Sequence, residues 1–220
     1  MAKITVTAFR WVPPFAKGLV RDLRVRWALE EAGLPYEEHL IGPEDQVSPG
    51  YRRLQPFGQV PAYEEGELVL FESGAIVLHI AAKSEALMPA DPAGRARVTT
   101  WAFAALNSVE PPIQELAAID LFYDGQEWAR LRRPGVVDAV QSRLNDLAVS
   151  LAGREYLEKR FTAADILMTT VLNILRHTDL VEKMPVLEDY RLRCENRPAY
   201  RKALADQLAP FAEQERLAAG

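Results

Sequence analysis

The sequence predicts an α/β domain over residues 1–84, a linker over 85–92 and an all-α domain over 93–220. Two observations support this division. Strand and helix patterns alternate through the first part of the chain, and strand patterns cease after the linker, which carries Pro89. A chain of 220 residues is long enough to form one large domain or two small ones, each with a buried core.

The first domain is predicted to run in the order β-α-β-α-β-β-α. Residues 4–9 alternate in polarity and are rich in β-branched side chains, which predicts a strand. The helix that follows begins near Leu19, and Gly33 is its predicted C-terminal stop. A second strand is predicted over 36–41 and a short helix over 51–54.

The last part of this domain is predicted to be a β-hairpin followed by a helix. Two short apolar runs, 60–63 and 68–71, are joined by a turn that contains Gly66. Pro61 has no N–H to donate, so it belongs at an edge or at the start of a strand. Ser73 is a candidate N-cap, and a helix N-terminus with a hydroxyl suits a carboxylate or phosphate. This element order is that of a thioredoxin-like domain.

The second domain is predicted to consist of helices alone. Pro111 and Pro112 must kink or interrupt the first of them, because proline removes a backbone donor and clashes with the preceding turn. The predicted helical segments are 93–109, a further one to about Phe122, 136–151, 187–195 and 199–207.

One helix start in this domain has a strong local pattern. Thr162 and Asp165 have the spacing of a capping box, and Phe161 and Ile166 have that of a hydrophobic staple. Asp165 is therefore interpreted as structural.

Composition and charge exclude several classes of function. The net charge is −5 and the basic residues are interspersed with acids, which argues against a nucleic-acid-binding face. No apolar run approaches the length of a membrane span, and the N-terminus lacks a secretory pattern. The single cysteine, Cys194, excludes an internal disulfide and indicates a reducing compartment, so we expect a cytoplasmic protein.

No metal site is predicted. His39, His79 and His177 are far apart and have no companion ligands at suitable spacing. Cys194 falls within an amphipathic helix and is interpreted as a small core residue.

The stretch from Gln59 to Ser73 resembles the glutathione-binding half of a glutathione S-transferase, of the bacterial cytosolic type. The resemblance is carried by Gln59-Val60-Pro61, the short hairpin and Glu72-Ser73 at the helix start. It extends over nearly the whole chain, because the Thr162–Asp165 helix start resembles a motif of the same family.

The resemblance implies a site for glutathione and a homodimer. The bond before Pro61 would be cis, so that Val60 presents its backbone N–H and C=O to the cysteinyl part of glutathione. Glu72 and Ser73 would hold the γ-glutamyl end, with Gln59 a weaker polar contact. The dimer interface would come largely from the Ser73 helix and the helix that begins near Ala93.

The sequence departs from the family at the place of the thiol-activating residue. Family members usually carry a Tyr, Ser or Cys just after the first strand or at the first turn of the first helix. Those places are occupied here by Trp11 and Leu19, and no Ser, Thr, Tyr or Cys occurs over residues 8–35. The loop over 10–18 is interpreted as an insertion that reshapes the cleft.

Cations and backbone donors are the first candidates for activating the sulfur. Arg10, Lys17 and Arg21 lie near the predicted site, as does the N-terminus of the first helix, and Arg10 or Arg21 is the candidate catalytic group. The alternative is a hydroxyl from the helical domain, either Ser108 or Tyr123.

The predicted function is conjugation of glutathione, as co-substrate, to an apolar electrophile. Candidate residues of the electrophile cleft are Trp11, Phe15, Ser108, Phe122 and Tyr123. A non-catalytic glutathione-binding or regulatory protein on the same fold is the alternative, and conjugation, isomerisation, reduction and dehalogenation all stay open as the reaction.

Overall fold

The structure is a computed structural model in which residues 2–219 are described. The chain forms two compact units. One runs up to Leu87 and includes the chain from Arg197 onward, and the other is Met88–Asn196. The last helix, α10 (Pro198–Ala219), packs on the first unit, whereas the sequence placed it in a helical domain over 93–220.

The first unit contains a mixed four-stranded sheet. Its strands are β1 (Ile4–Phe9), β2 (Glu37–Ile41), β3 (Tyr63–Glu65) and β4 (Leu68–Leu70). They lie in the order β2-β1-β3-β4, with β1 and β2 parallel and the other neighbours antiparallel. This is a thioredoxin-like domain, as predicted.

The hairpin is shorter than predicted. Strand β3 begins at Tyr63, not at Val60, and only the Ala62 carbonyl continues the pairing by accepting from Thr7 N–H at 2.9 Å. Pro61 therefore precedes the strand. Gly66 has φ 62° at the tip of the hairpin, a conformation that favours glycine.

Five helices belong to the first unit. They are α1 (Asp22–Ala32), α2 (Pro43–Gln46), α3 (Pro49–Leu54), α4 (Ser73–Ala81) and α10. Helix α1 begins three residues after the predicted start, because Leu19 N–H bonds to Ala16 C=O in a turn that follows a short 3₁₀ helix. It ends at Gly33 (φ 65°), as predicted, and it packs against both α4 and α10.

A buried polar network joins α1 to α10. Arg26 Nε donates to Asp22 Oδ2 at 2.7 Å, and Gln207 Nε2 donates to Asp22 Oδ1 at 2.7 Å. Arg26 also bonds to Glu38 of β2. Burial raises the pKa of Asp22, although Arg26 and Gln207 act in the opposite direction. Breaking this network would leave buried charge uncompensated.

The second unit contains helices only. They are α5 (Pro92–Phe103), α6 (Glu110–Phe122), α7 (Glu127–Leu151), α8 (Ala163–Leu172) and α9 (Pro185–Glu195). The predicted interruption takes the form of a π-helical stretch, Ala104–Val109, after which Pro111 and Pro112 lie in the first turn of α6. Helix α7 starts nine residues before the predicted start, because the exposed Pro134 is accommodated inside it.

The Asp165 capping box is confirmed. Asp165 Oδ2 accepts from Thr162 N–H at 2.8 Å, and Oδ1 accepts from Leu157 N–H and the Tyr190 hydroxyl, each at 3.0 Å. Burial raises the pKa of Asp165, and these donors oppose the effect. Asp165 thus connects Leu157 and Tyr190 to the start of α8. Cys194 is buried, as expected.

Residues 2–219 contain neither a membrane-spanning helix nor a metal-binding cluster. None of the helices in this part of the chain has the length and apolar character of a membrane span. No group of three or more His, Cys, Asp or Glu side chains there is arranged to hold a metal.

Candidate active site

The segment before β3 presents backbone groups that are unpaired within residues 2–219. The Val60–Pro61 bond is cis, as the resemblance implied. On one side the Tyr51 hydroxyl donates to Gln59 C=O at 2.5 Å, and on the other Ala62 C=O accepts from Thr7. Between these anchors, the N–H and C=O of Val60 make no hydrogen bond within residues 2–219. They can pair with an extended peptide, as an added strand does.

Tyr51 supports this segment from below. Its ring packs in a small core with Ile41, Val60 and Ala62. Burial raises the pKa of Tyr51 to about 12, so its hydroxyl stays protonated and continues to donate at neutral pH.

Glu72 adopts a strained backbone conformation just before α4. It has φ 68° and ψ 110°, and it is the one non-glycine residue with positive φ in the described chain. Such a conformation costs on the order of 1–3 kcal/mol and concentrates at functional sites. The Glu72 side chain is exposed, and its carboxylate makes no ion pair or hydrogen bond within residues 2–219. It is available to an ammonium group.

Ser73 follows at the first position of α4 and is 6% exposed. Its Oγ accepts a hydrogen bond at 3.3 Å from Nη1 of Arg24, a side chain of α1 that is itself 3% exposed. The first N–H groups of α4 have no partner within the helix. Such N–H groups and a serine hydroxyl are donors from which a carboxylate can accept hydrogen bonds.

The structure brings four predicted binding residues onto neighbouring elements of the first unit. Val60 and Pro61 precede β3, whereas Glu72 and Ser73 follow β4 and open α4. The Gln59 side chain is exposed, and its carbonyl is bonded to Tyr51. What any of these residues binds stays a prediction.

The predicted cations near the sulfur differ in their surroundings. Arg10 lies close to acids near the end of β2, with Nη1 at 3.4 Å from Glu44 Oε1 and Nη2 at 3.8 Å from Asp45 Oδ2. Lys17 is bonded to Glu215 of α10 at 2.6 Å. Arg21 is the exposed N-cap residue of α1.

The predicted backbone donors of α1 are partly used. Leu23 N–H donates to Val20 C=O at 3.0 Å, and Arg24 N–H donates to Arg21 C=O at 3.2 Å. Trp11 and Phe15 are both exposed in the preceding loop, at 47% and 45%. Their rings offer apolar surface on the first unit.

The hydroxyl candidates lie in the second unit. Ser108 is exposed within the π-helical stretch. Tyr123 follows α6, and its ring centroid is 4.9 Å from that of Trp128. Phe122, also predicted for the cleft, is 61% exposed.

Sequence reasoning missed two supporting residues. Tyr51 was predicted only as part of a short helix, and nothing in the sequence links its hydroxyl to Gln59. Arg24 lies in a run of alternating basic and apolar residues on α1, where the sequence gives no sign that its side chain is buried against Ser73.

The chain has clear relatives. The family model for the N-terminal domain of glutathione S-transferase matches residues 15–82. "Glutathione S-transferase 4" of Zea mays is 30% identical over 217 residues, covering 92% of this chain and 93% of the maize protein. The fold and the cis-proline segment define the class of proteins in which a thioredoxin-like domain is followed in the chain by a helical domain. The chain belongs to the glutathione S-transferase family.

Solved structures agree with this assignment. A glutathione transferase from Burkholderia graminis, with two glutathione molecules bound per subunit, has a TM-score of 0.81 at 26% identity, covering 92% of this chain and 88% of that one. The theta class enzyme from Xanthomonas axonopodis pv. citri, with glutathione bound, has a TM-score of 0.77 at 27% identity, covering 93% and 98%. The bacterial type assigned from the sequence stays a prediction.

Proposed function

We propose that this protein is a glutathione transferase that conjugates glutathione to an apolar electrophile. The observation that carries the proposal is the pairing of two features in the first unit. Within residues 2–219, the backbone groups of Val60 beside the cis proline and the carboxylate of Glu72 make no hydrogen bond, and Ser73 opens α4 with a helix N-terminus. Their chemistry is complementary to a peptide with an amino acid zwitterion at one end.

The cysteinyl and γ-glutamyl parts of glutathione each have a complementary group. The cysteinyl backbone pairs with the N–H and C=O of Val60, as a strand pairs with a sheet edge. The γ-glutamyl ammonium meets the Glu72 carboxylate, and the γ-glutamyl carboxylate meets the Ser73 hydroxyl and the first N–H groups of α4. Gln59 supplies a weaker polar contact from its exposed side chain.

The reaction requires a glutathione thiolate. Its sulfur forms a bond to the electrophilic carbon, and the leaving group departs with the electron pair. Arg10 or Arg21 is the proposed stabilising cation. Trp11 and Phe15 offer apolar surface to the electrophile.

A non-catalytic glutathione-binding protein is the second candidate. It is favoured by one observation: residues 8–35 contain no hydroxyl or thiol side chain, so the usual activating group is missing. The binding groups at Val60, Glu72 and Ser73 are the same in both candidates.

Calorimetry and a conjugation assay test the proposal together. Glutathione is titrated into the parent and into the Glu72→Ala/Ser73→Ala variant, and turnover is followed with several apolar electrophiles. We expect binding in the parent, strong weakening in the variant, and turnover with at least one electrophile. Equal affinity in both proteins would contradict the site, and binding without any turnover would favour the non-catalytic candidate.

A further inference from the structure

The second unit contains a cleft between α5 and the segment 153–159, which follows α7. Its volume is about 650 Å³. Ligand pockets commonly measure about 300–1,000 Å³, so a small organic molecule fits this space. Charged residues from both elements line it: Arg97, Arg154, Glu155, Glu158 and Lys159.

Arg97 of α5 is held in place at its Nε atom. Nε donates to Glu158 Oε1 at 3.2 Å and to Oε2 at 3.0 Å, and the Glu158 side chain is only 10% exposed. The Nη1 and Nη2 atoms of Arg97 make no hydrogen bond within residues 2–219. The nearly buried carboxylate thus orients a guanidinium whose terminal fork of donors is unused.

Positive charge exceeds negative charge around this cleft. Arg154 and Lys159 make no ion pair in the described part of the chain. Arg193 of α9 also has no acidic partner there, and it donates to Glu155 C=O at 2.8 Å. Against these three cations stands the exposed carboxylate of Glu155. In a chain with a net charge of −5, this excess of positive charge favours an anionic ligand.

The segment 153–159 also has backbone donors to spare. The N–H groups of Glu158 and Lys159 make no hydrogen bond within residues 2–219. Leu157, next to them, is buried, and its N–H donates to Asp165 Oδ1 at 3.0 Å. Because Leu157 is anchored in this way, the neighbouring donors are held in position before any ligand arrives, which lowers the entropic cost of binding.

We propose that this cleft binds a small molecule that carries a phosphate group. A phosphate monoester has a charge of about −1.5 to −2 at neutral pH and three acceptor oxygens, which match the fork of Arg97 and the charges of Arg154 and Lys159. A single carboxylate has one charge and two oxygens, so it would leave part of this set unpaired. The site lies in the second unit, and the inference does not depend on the glutathione site.

Calorimetry with inorganic pyrophosphate as the probe tests the proposal. We expect the parent to bind pyrophosphate with a Kd below about 1 mM. Arg154→Ala/Lys159→Ala should weaken binding about tenfold or more, because two charge-assisted contacts are lost. A parent that does not bind pyrophosphate would overturn the proposal.

Arg130→Ala/Arg143→Ala is the matched control. It removes the same charge from the same unit, but both arginines are exposed side chains of α7 outside the lining of the cleft. We expect this variant to bind pyrophosphate as the parent does. Equal losses in the two double variants would show that only the net charge matters, and the proposal would be wrong.

Arg97→Lys separates a built site from a patch of charge. A lysine keeps the positive charge but lacks the planar fork, so we expect pyrophosphate to bind severalfold more weakly. An unchanged affinity contradicts the proposal. The replaced arginine is about half exposed, so the unfolding temperature should stay close to that of the parent.

Two further titrations test the chemistry and the place of binding. Citrate, which has carboxylates and no phosphate, should bind more weakly than pyrophosphate at the same ionic strength, and equal affinity would contradict the phosphate assignment. Saturating glutathione should leave the affinity for pyrophosphate unchanged. A loss of affinity in its presence would place the probe in the glutathione site and overturn the proposal.

Discussion

At the scale of single residues, the site depends on groups that hold other groups in place. The Tyr51 hydroxyl holds the carbonyl of Gln59, the residue before Val60. Glu72 has a strained backbone conformation at the point where the chain enters α4. The Tyr51 ring also packs in the small core, whereas the strain at Glu72 lowers stability. Function is the physical reason that we infer for the strain at Glu72.

The first prediction concerns the thiol. In Arg21→Ala we expect the pKa of the bound glutathione thiol to rise toward about 8.5, the value of a free thiol, because a stabilising cation is lost. Arg10→Ala should raise it as well, although Glu44 and Asp45 near that charge reduce its effect. Ultraviolet absorbance of the thiolate across a pH titration measures the effect.

Ser108→Ala and Tyr123→Phe are the comparison variants in that titration. A thiol pKa that rises in these two variants and in neither arginine variant would replace the cationic mechanism with a hydroxyl from the second unit. A parent thiol that never ionises below its free value would favour the non-catalytic candidate.

The second prediction concerns Tyr51. Tyr51→Phe leaves the Gln59 carbonyl without its donor, which should cost about 1–3 kcal/mol of stability and loosen the segment around Val60. We expect glutathione affinity to fall severalfold, measured by calorimetry beside thermal unfolding. Tyr63→Phe, which removes a hydroxyl bonded to Glu65, should leave affinity nearly unchanged; an equal loss in both variants would contradict the anchoring role.

At the scale of elements, hydrogen bonds between ionisable side chains connect the hairpin to the C-terminal part of α4 and the residues just beyond it. Glu65 of β3 bonds to Lys83, just beyond α4, and to His79 Nε2 at 3.1 Å. Hydrogen bonds from Lys83 and then His79 lower the pKa of Glu65 from 4.5 to about 2. These bonds connect the hairpin of β3 and β4, which precedes Glu72, to the helix that begins at Ser73.

The third prediction follows from the sign of that shift. A carboxyl whose folded-state pKa is depressed contributes stability above its unfolded value, and the contribution is lost as pH falls from about 4.5 to about 2. Glu65→Gln should therefore lower stability at neutral pH and make it less dependent on pH in that window. Urea unfolding at a series of pH values measures both effects.

Glu64→Gln is the control for this prediction. Glu64 is the neighbouring residue on β3 and makes no ion pair within residues 2–219. It should follow the parent across the pH series. A pH dependence in Glu65→Gln that matched the parent would show that the bonds to Lys83 and His79 contribute nothing.

Local sequence signals predicted some elements better than others. Ile4–Phe9 and the Asp165 helix start were predicted correctly, because alternation and a capping box are read within a few residues. The start of β3 was missed, since the apolar run over 60–63 does not reveal that the cis-proline segment pairs only from Ala62 onward. Helix α10 was placed with the helical domain because its packing on α1 is a long-range contact.

The candidate site was predictable to the extent that its residues are close in sequence. Gln59 to Ser73 form one continuous stretch, whose pattern indicates the helix start. The cis bond was implied by the family resemblance that this stretch carries. Arg24 and Tyr51 come from other elements, and only the packing of α1 and α3 brings them to it.

At the scale of the whole molecule, we propose a cytoplasmic homodimer with α4 and α5 in the interface. Two-fold homodimers are the commonest soluble oligomers. The fourth prediction is a mass twice the 24.7 kDa of one chain in light scattering at micromolar concentration. A mass of one chain at that concentration would count decisively against the dimer.

The central claim is that Val60, Glu72 and Ser73 together bind glutathione. A crystal structure of the protein soaked with glutathione tests it most directly. The account predicts cysteinyl backbone hydrogen bonds to Val60 N–H and C=O, with the γ-glutamyl zwitterion between the Glu72 carboxylate and the Ser73 hydroxyl. Glutathione bound elsewhere, or bound with its γ-glutamyl end away from the start of α4, would contradict it.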